Sequence, residues 1–423
     1  MQRLTRFGSR PGLQRIASLL EAMGNPQQSL QYVHIAGTNG KGSTALIIAQ
    51  VLTKSGYKVG RFVSPHLHSY LERITVDGVE ISAAQFDAIL DEIDDHIRVM
   101  LDRGEEHPTE FEVLTAAAFR CFQLEQVDLA VMEVGMGGSY DSTNVITPRV
   151  AVITGIDFDH TAFLGDTMGE IAANKAGIIK LGVPVVVGPM DTEALQIISQ
   201  QAQAMQAPLF HSSDIKVVQS GAASLLSQEV DLEGPDLHLK GVSYTMPGAY
   251  QRRNLAVALR TLLVLREQGL AIDGDIIRSA LAEVRNPGRL EVVSQSPLVI
   301  VDAAHNPQGA RALAESLHDL LPGRGKVLVL GLLDDKERTG VLVPLAENTR
   351  MVVVTRPQGS RSQAWQEVEL VWRRDFPQIQ VEVVESIESA VKRALTVVTG
   401  SDYIVVTGSF YVLDQARRYF VRN

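Results

Sequence analysis

A chain of 423 residues, 45% hydrophobic and 21% charged, is long enough for two domains and has the makeup of a globular protein with a large core. A net charge of −10 argues against a general polyanion-binding surface, so no nucleic-acid partner is expected, although one small anionic ligand is compatible with it. No apolar run reaches the roughly 18 residues needed to span a bilayer, and no secretory h-region is evident. The single cysteine, Cys121 in "TAAAFRCFQL", excludes an intramolecular disulfide and reads as a core residue. A cytoplasmic protein with no membrane partner is the expectation.

The opening "MQRLTRFGSRPGLQRIASLL" carries four arginines and no acid, a composition shared with mitochondrial transit peptides. Leu13, Ile16, Leu19, Leu20 and Met23 nevertheless fall on one face at helical spacing, which predicts a folded helix stopped at "GNP". From residue 31, short apolar runs alternate with helical patterns. "QYVHIA" leads through a glycine loop into the helix "STALIIAQVLTKSG". The strand "KVGRFV" and the helices "SAAQFDAILDEIDDHIRVML" and "TEFEVLTAAAFRCFQL" follow, then the buried strands "VDLAVMEVG" and "RVAVITGID". Ser82 with Gln85, and Thr109 with Glu112, fit capping boxes. This rhythm predicts a mostly parallel sheet with helices on both faces. Residues 215–247 alternate with period two around Gly and Pro, as an antiparallel ribbon would. Two helices over 249–268 and 272–284 precede "RNPGRLEVVSQSP", the expected domain boundary. Beyond it, five apolar runs, each followed by a helical pattern, form a second α/β domain of about 130 residues. A cleft between the two domains is where a ligand is expected.

"HIAGTNGKGSTALI", residues 34–47, departs from the usual phosphate-loop spelling: Ile35 stands where the first glycine belongs, and Gly42 separates Lys41 from any hydroxyl. The context is still right, with a strand before and a helix after. Gly37, Gly40 and Gly42 let the backbone, with Thr38 and Asn39, turn its amides inward, and the helix N-terminus adds positive potential. Lys41 reaches the outer phosphates, and one hydroxyl, of Ser43 or Thr44, can face a magnesium ion. Glu133 ends a strand directly before a glycine loop, well placed for that metal, and His160 after "VAVIT" is a second candidate ligand. Spacing alone leaves Lys175 a solvated helix lysine. Asp302 and His305 follow an apolar strand, and Arg289 in the expected linker fits stabilisation of transferring phosphate.

"HIAGTNGKGST", "FVSPHL…ERI", "PTEFEVLTAAAF", "VMEVGMGGSYDSTNVITP", "FDHTAFLG", "KAGIIK", "GAYQRRNLAVAL", "NPGRLEV", "VDAAHNP" and "VTGSFYV" occur in that order. Together, from about Arg15 to Val412, they resemble the folylpolyglutamate synthase/dihydrofolate synthase family of the Mur ligase superfamily. The resemblance implies an α/β fold: a phosphate-loop ATPase-type domain over 1–286, with the ribbon attached to its mostly parallel sheet, and a smaller Rossmann-like glutamate-ligase domain over 287–423. It implies an ATP-dependent ligase joining L-glutamate to tetrahydrofolate through an acyl phosphate; the chain is expected to act as a monomer. Dihydropteroate as a further acceptor is left open, with a lean toward it.

By the same resemblance, Lys41 and the surrounding loop hold the ATP phosphates, and Ser64 and Glu133 ligate one magnesium. Glu133, His160 and Lys175 group at a second, Lys175 matching a lysine that is carbamylated in the family. Asn254 and Arg289 contact nucleotide, supported by Asp302 and His305, and the loop 64–73, with His66 and Arg73, lies near the folate. The chain reads "GGSYDSTN" where many relatives read "GGRLDATN"; Asn174, Tyr250 and "DAAHNP" are further departures, and they cloud the pterin specificity. The rivals are a cell-wall Mur ligase, for whose extra N-terminal domain the roughly 30 residues before the loop leave no room, and a phosphate-loop ATPase switch.

Overall fold

The computed structural model describes residues 12–159, 161–359 and 361–421. The chain divides into two compact units. The first comprises the chain up to Val218 with Asp231–Val242 and Arg253–Val284; the second comprises Gln219–Val230, Ser243–Arg252 and the chain from Arg285.

The first unit opens with α1 (Gln14–Ala22), whose Ile16, Leu19 and Leu20 are fully buried, as their spacing predicts. There follow β1 (Tyr32–Ala36), α2 (Lys41–Lys54), β2 (Val59–Phe62), β3 (Ile74–Val76), β4 (Val79–Glu80), α3 (Ala83–Asp102) and α4 (Glu110–Leu124). Next come β5 (Leu129–Glu133), β6 (Val150–Ile153), α5 (Thr161–Leu164), α6 (Met168–Ala176), β7 (Val185–Val187), α7 (Thr192–Ala204) and β8 (Leu209–His211). The strands form one sheet in the order β4-β3-β2-β5-β1-β6-β7-β8. Every pairing from β2 to β8 is parallel; β3 and β4 add an antiparallel edge that the helix–strand rhythm did not reveal.

β1, β5, β6 and β7 are buried at every position, which explains their unbroken apolar runs. Tyr32, Phe62, Ala130 and Met132 face a core built with α1, α3 and α4, where Phe119 meets Tyr32 edge-on at 5.8 Å. The alternate residues Val33, Ile35, Leu129 and Val131 point to the other face and are equally buried, so both faces are covered. Cys121 lies in the first of these cores, its thiol pushed up to about 12 by burial. Thr109 and Glu112 form both arms of a capping box at α4, and Arg15 pairs with the buried Glu112 at 3.1 Å. At α3 only one arm forms: Ser82 accepts from the Gln85 amide.

β9 (Lys216–Ala223), β10 (Gln228–Gly234) and β11 (Leu237–Tyr244) make a separate three-stranded sheet in sequential order. Their connections, residues 224–227 and 235–236, are too short for anything but antiparallel hairpins. The expected pair of helices is present as α8 (Ala249–Glu267) and α9 (Gly274–Leu281).

The sheet of the second unit contains β12 (Glu291–Gln295), β13 (Leu298–Asp302), β14 (Lys326–Leu330), β15 (Thr349–Val354), β16 (Gln380–Val383) and β17 (Tyr403–Thr407), in the order β12-β13-β17-β14-β15-β16. It carries α10 (Pro307–Leu320), α11 (Arg338–Leu345), α12 (Glu367–Asp375), α13 (Ile387–Val397) and α14 (Phe410–Phe420). The stretch "RNPGRLEVVSQSP" begins at Arg285, where the second unit takes up the chain, and it contains a strand, β12, that its sequence did not reveal. This strand is paired antiparallel with β13, obscured in sequence because only five residues lie between turn-forming flanks. Both tryptophans of the chain, Trp365 and Trp372, belong to the core of this unit. No described helix is long and apolar enough to cross a membrane.

Phe119→Ala should destabilise the protein by about 3–5 kcal/mol through the cavity it leaves, whereas Val79→Ala at an exposed position should stay within about 0.5 kcal/mol. Urea unfolding of the two variants checks the contrast.

Candidate active site

The loop between β1 and α2 turns on glycines that no other residue replaces without strain. Gly37 has φ +147 and Gly40 φ +86. A Cβ on Gly37 would collide with the Thr154 hydroxyl, and one on Gly40 with the side-chain oxygen of Asn254 in α8. Asn254 therefore lies directly against the loop. Two threonines strap the turn to the chain that follows β6. The Thr154 hydroxyl donates to the Asn39 carbonyl at 2.7 Å; the Thr38 hydroxyl donates to Asp157 O and accepts the Asp157 amide, both at 3.0 Å.

Two lysines meet inside this loop. Lys41 Nζ donates to Gly37 O at 3.0 Å and Thr38 O at 3.1 Å, and Lys175 Nζ, from α6, donates to Gly37 O at 3.0 Å. Lys175 is only 3% exposed, so the solvated-helix reading of its spacing is wrong. Its position in the last turn of α6 points it inward under the glycine loop after β5, where Gly138 approaches the Lys175 backbone too closely for a side chain. Burial, and then the neighbouring Lys41 charge, bring the Lys175 amine down to about 7, against the opposing pull of Asp159 and Asp141.

Glu133 ends β5 opposite Ile35 of β1 and is buried. Its Oε2 accepts the Ser64 amide at 3.2 Å and lies 3.4 Å from where a Cβ on Gly42 would stand. Ser64, Glu133 and the start of α2 are thus brought together. Thr44 is fully buried, and its hydroxyl meets no hydrogen-bond partner among the described residues. His160 lies outside the described residues, among which no group of three or more His, Cys, Asp or Glu gathers for a metal.

Sequence reasoning passed over a buried network behind this edge. Asp141 accepts the Met136 amide at 2.9 Å, the Thr143 amide at 3.0 Å and the Thr143 hydroxyl at 2.5 Å. That hydroxyl in turn meets His34 Nε2 at 2.8 Å. Since Thr143 donates to Asp141, His34 donates from Nε2. Burial first, and Lys180 second, lower the His34 imidazole to about 3, so it stays neutral. A histidine inside the apolar strand "YVHIA" was the available signal. Asn144 fastens the same segment by donating to Ser139 O and Gly177 O, each at 3.1 Å.

In the loop 64–73, Glu72 gathers the amides of Leu67, His68 and Ser69 at 2.6–2.7 Å. Arg73 Nε donates to His66 Nδ1 at 2.9 Å, and the His66 ring lies 4.5 Å from that of Tyr70.

The second unit places its own polar residues at the carboxyl ends of its strands. Both Asp302 oxygens accept backbone amides, of Leu290 at 2.7 Å and Ala304 at 2.8 Å. Burial raises its carboxyl, with Arg289 and His305 opposing. His305 Nδ1 contacts Ala303 O at 2.9 Å, and the Arg289 guanidinium lies 4.9 Å from the centre of the Phe410 ring.

Residues 35–262 match the Mur ligase middle domain, and residues 288–410 match the Mur ligase glutamate ligase domain. Two α/β units, the first with a lysine-bearing glycine loop at the carboxyl edge of its sheet, define an ATP-dependent ligase of the Mur type. The dihydrofolate synthase/folylpolyglutamate synthase of Bacillus subtilis is 33% identical, over 98% of this chain and 96% of its own. The structure of Mycobacterium tuberculosis folylpolyglutamate synthase complexed with ADP and AMPPCP has a TM-score of 0.92 at 35% identity, covering 100% of this chain and 97% of that one. The bifunctional folylpolyglutamate synthase/dihydrofolate synthase of Yersinia pestis, complexed with AMPPNP and Mn ion, has a TM-score of 0.84 at 28% identity, covering 99% and 95%. The chain belongs to the folylpolyglutamate synthase/dihydrofolate synthase family.

Gly40→Ala should weaken nucleotide binding by tenfold or more, about 1.4 kcal/mol, because it adds both left-handed strain and a clash with Asn254. Calorimetric titration with ADP gives the comparison.

Proposed function

We propose that the chain joins the amine of L-glutamate to the carboxylate of a tetrahydrofolate substrate at the expense of ATP, and that dihydropteroate is a second acceptor. The observation that carries the reading is the pair Lys41 and Lys175 on the carbonyl of Gly37, beside Glu133, in a loop built for phosphates. A carboxylate resists a nucleophile because of its own charge and because oxide is a poor leaving group. In the first step its oxygen attacks the γ-phosphorus and ADP departs. In the second, the glutamate amine attacks the acyl carbon, phosphate departs and the amine loses a proton.

Each residue then has a physical task. Loop amides of Gly37 to Thr44 surround the phosphates, with Lys41 as a point charge among them and Asn254 fixing the turn from behind. Glu133, the Thr44 hydroxyl and Ser64 fit a hard cation: an anionic oxygen at a strand end, a buried hydroxyl with no other partner, and a serine on the same carboxylate. Magnesium held by these residues would supply positive charge beside the phosphates. Arg289 supplies positive charge to nucleotide, and His305 supports it. Asp302 accepts the amides of Leu290 and Ala304 and so helps to hold the turn that carries Arg289.

Lys175 serves best as a carbamate. Its neutral amine adds carbon dioxide and releases one proton, which turns a cation repelled by Lys41 into an anionic oxygen ligand. An amine at about 7 is available for that reaction at neutral pH, where an ordinary lysine is almost wholly protonated.

Lys41→Ala should abolish product formation. Lys175→Ala should reduce it by at least about 100-fold, with partial recovery in added short-chain acids. Mass spectrometry after incubation with ATP, glutamate and either tetrahydrofolate or dihydropteroate reads both variants and both acceptors; phosphate release indifferent to these substrates would favour an ATPase switch. Because the folded amine lies below its ordinary value, protonation sets in as the pH falls through about 7. Activity should decline over that interval in bicarbonate-depleted buffer and recover with bicarbonate. An unchanged Lys175→Ala rate would exclude the carbamate.

A further inference from the structure

The turn that carries Arg289 is left-handed on both sides of the arginine, and on one side it is strained. Gly288 has φ +74, and Leu290, a bulky residue, has φ +45. Left-handed backbone at such a residue persists only where its surroundings over-determine it. Leu290 is buried in the core of the second unit, which fixes its own side chain. The backbone around it is fixed separately. Arg289 N donates to Asn286 O at 3.2 Å, and Ala303 N donates to Gly288 O at 2.9 Å.

Two carboxylates complete the clamp. Glu291 Oε2 accepts the Gly288 amide at 2.8 Å, and Asp302 Oδ2 accepts the Leu290 amide at 2.7 Å. The residues immediately before and after Arg289 thus commit their N–H groups to different acids. Glu291 is itself held by Arg417, whose Nε reaches both of its oxygens at 3.0 and 3.1 Å. The side chains are only 21% and 15% exposed, so this pair is shielded far better than a surface ion pair. Arg417 and Phe410 both belong to α14. One rigid helix therefore supplies the ring under the Arg289 guanidinium and the cation that fixes the acid beneath the Arg289 backbone.

We propose that the Glu291–Arg417 pair is a positioning device for Arg289, presetting the guanidinium for nucleotide without touching substrate itself. This rests on the reading of Arg289 as a nucleotide contact. Pre-set geometry matters because small displacements of a charge aimed at a transferring phosphoryl group are costly in rate.

A double-mutant cycle on the full-length enzyme tests it, with Glu291→Ala, Arg417→Met, Arg289→Ala and the two doubles containing Arg289→Ala. Steady-state kcat/KM for ATP and the melting temperature are measured for each. Either single change at the pair should lower kcat/KM by about tenfold, and neither should lower it further once Arg289 is alanine. Equal losses in both backgrounds would show a merely structural role and overturn the proposal. Normal turnover by Arg289→Ala alone would instead overturn the reading of Arg289 on which it stands. Arg417→Met keeps the carboxylate on the Gly288 amide, so the test survives if Glu291→Ala fails to fold.

Discussion

A single carbonyl oxygen, that of Gly37, receives two ammonium groups in a place that water barely reaches. Two like charges cannot both be comfortable there, and the more buried one yields. Lys41 keeps a second carbonyl partner in Thr38, while Lys175 is drawn toward its neutral form. What aims the carbonyl is the φ of +147 at Gly37, and what holds that conformation is the strapping of the loop by Thr38 and Thr154. The two lysines therefore share one backbone atom of the glycine loop. A distortion of the loop reaches both.

The same economy governs the segment that separates Glu133 from α6. Gly138 lets the backbone rest on Lys175, Asn144 ties the segment to Gly177, and the Asp141–Thr143–His34 relay anchors it to β1. A buried acid and a buried imidazole would each be unfavourable alone. Linked through one hydroxyl, with Asp141 also taking backbone amides, they form a network that fixes a loop otherwise rich in glycine. The strand bearing the phosphate loop and the strand bearing Glu133 are hydrogen-bonded neighbours, so the network and the sheet constrain the same few side chains.

Much of the parallel core was legible in the sequence because both faces of the strands are covered, leaving unbroken apolar runs between helical patterns. The glycine loop between β1 and α2 was legible too, since its glycines and lysine stand between an apolar strand run and a helical pattern. The three-residue β3 and two-residue β4 were not, being too short to show a period, and β12 was hidden by its turn-like flanks. Lys175 was the instructive failure. Its neighbours in sequence say helix, and nothing local says that the glycine loop after β5 closes over it. His34 failed differently: one polar letter within an apolar strand carries no hint of Thr143, more than a hundred positions away.

The placement of the aromatic residues has a practical corollary. Trp365 and Trp372 are the only indoles in the chain, and both are enclosed in the core of the second unit, while the first unit is built around tyrosine and phenylalanine. Emission excited at the red edge of protein absorbance therefore reports on the glutamate-ligase half alone. Set beside circular dichroism, which sees every helix, it separates the melting of one half from that of the other without a label.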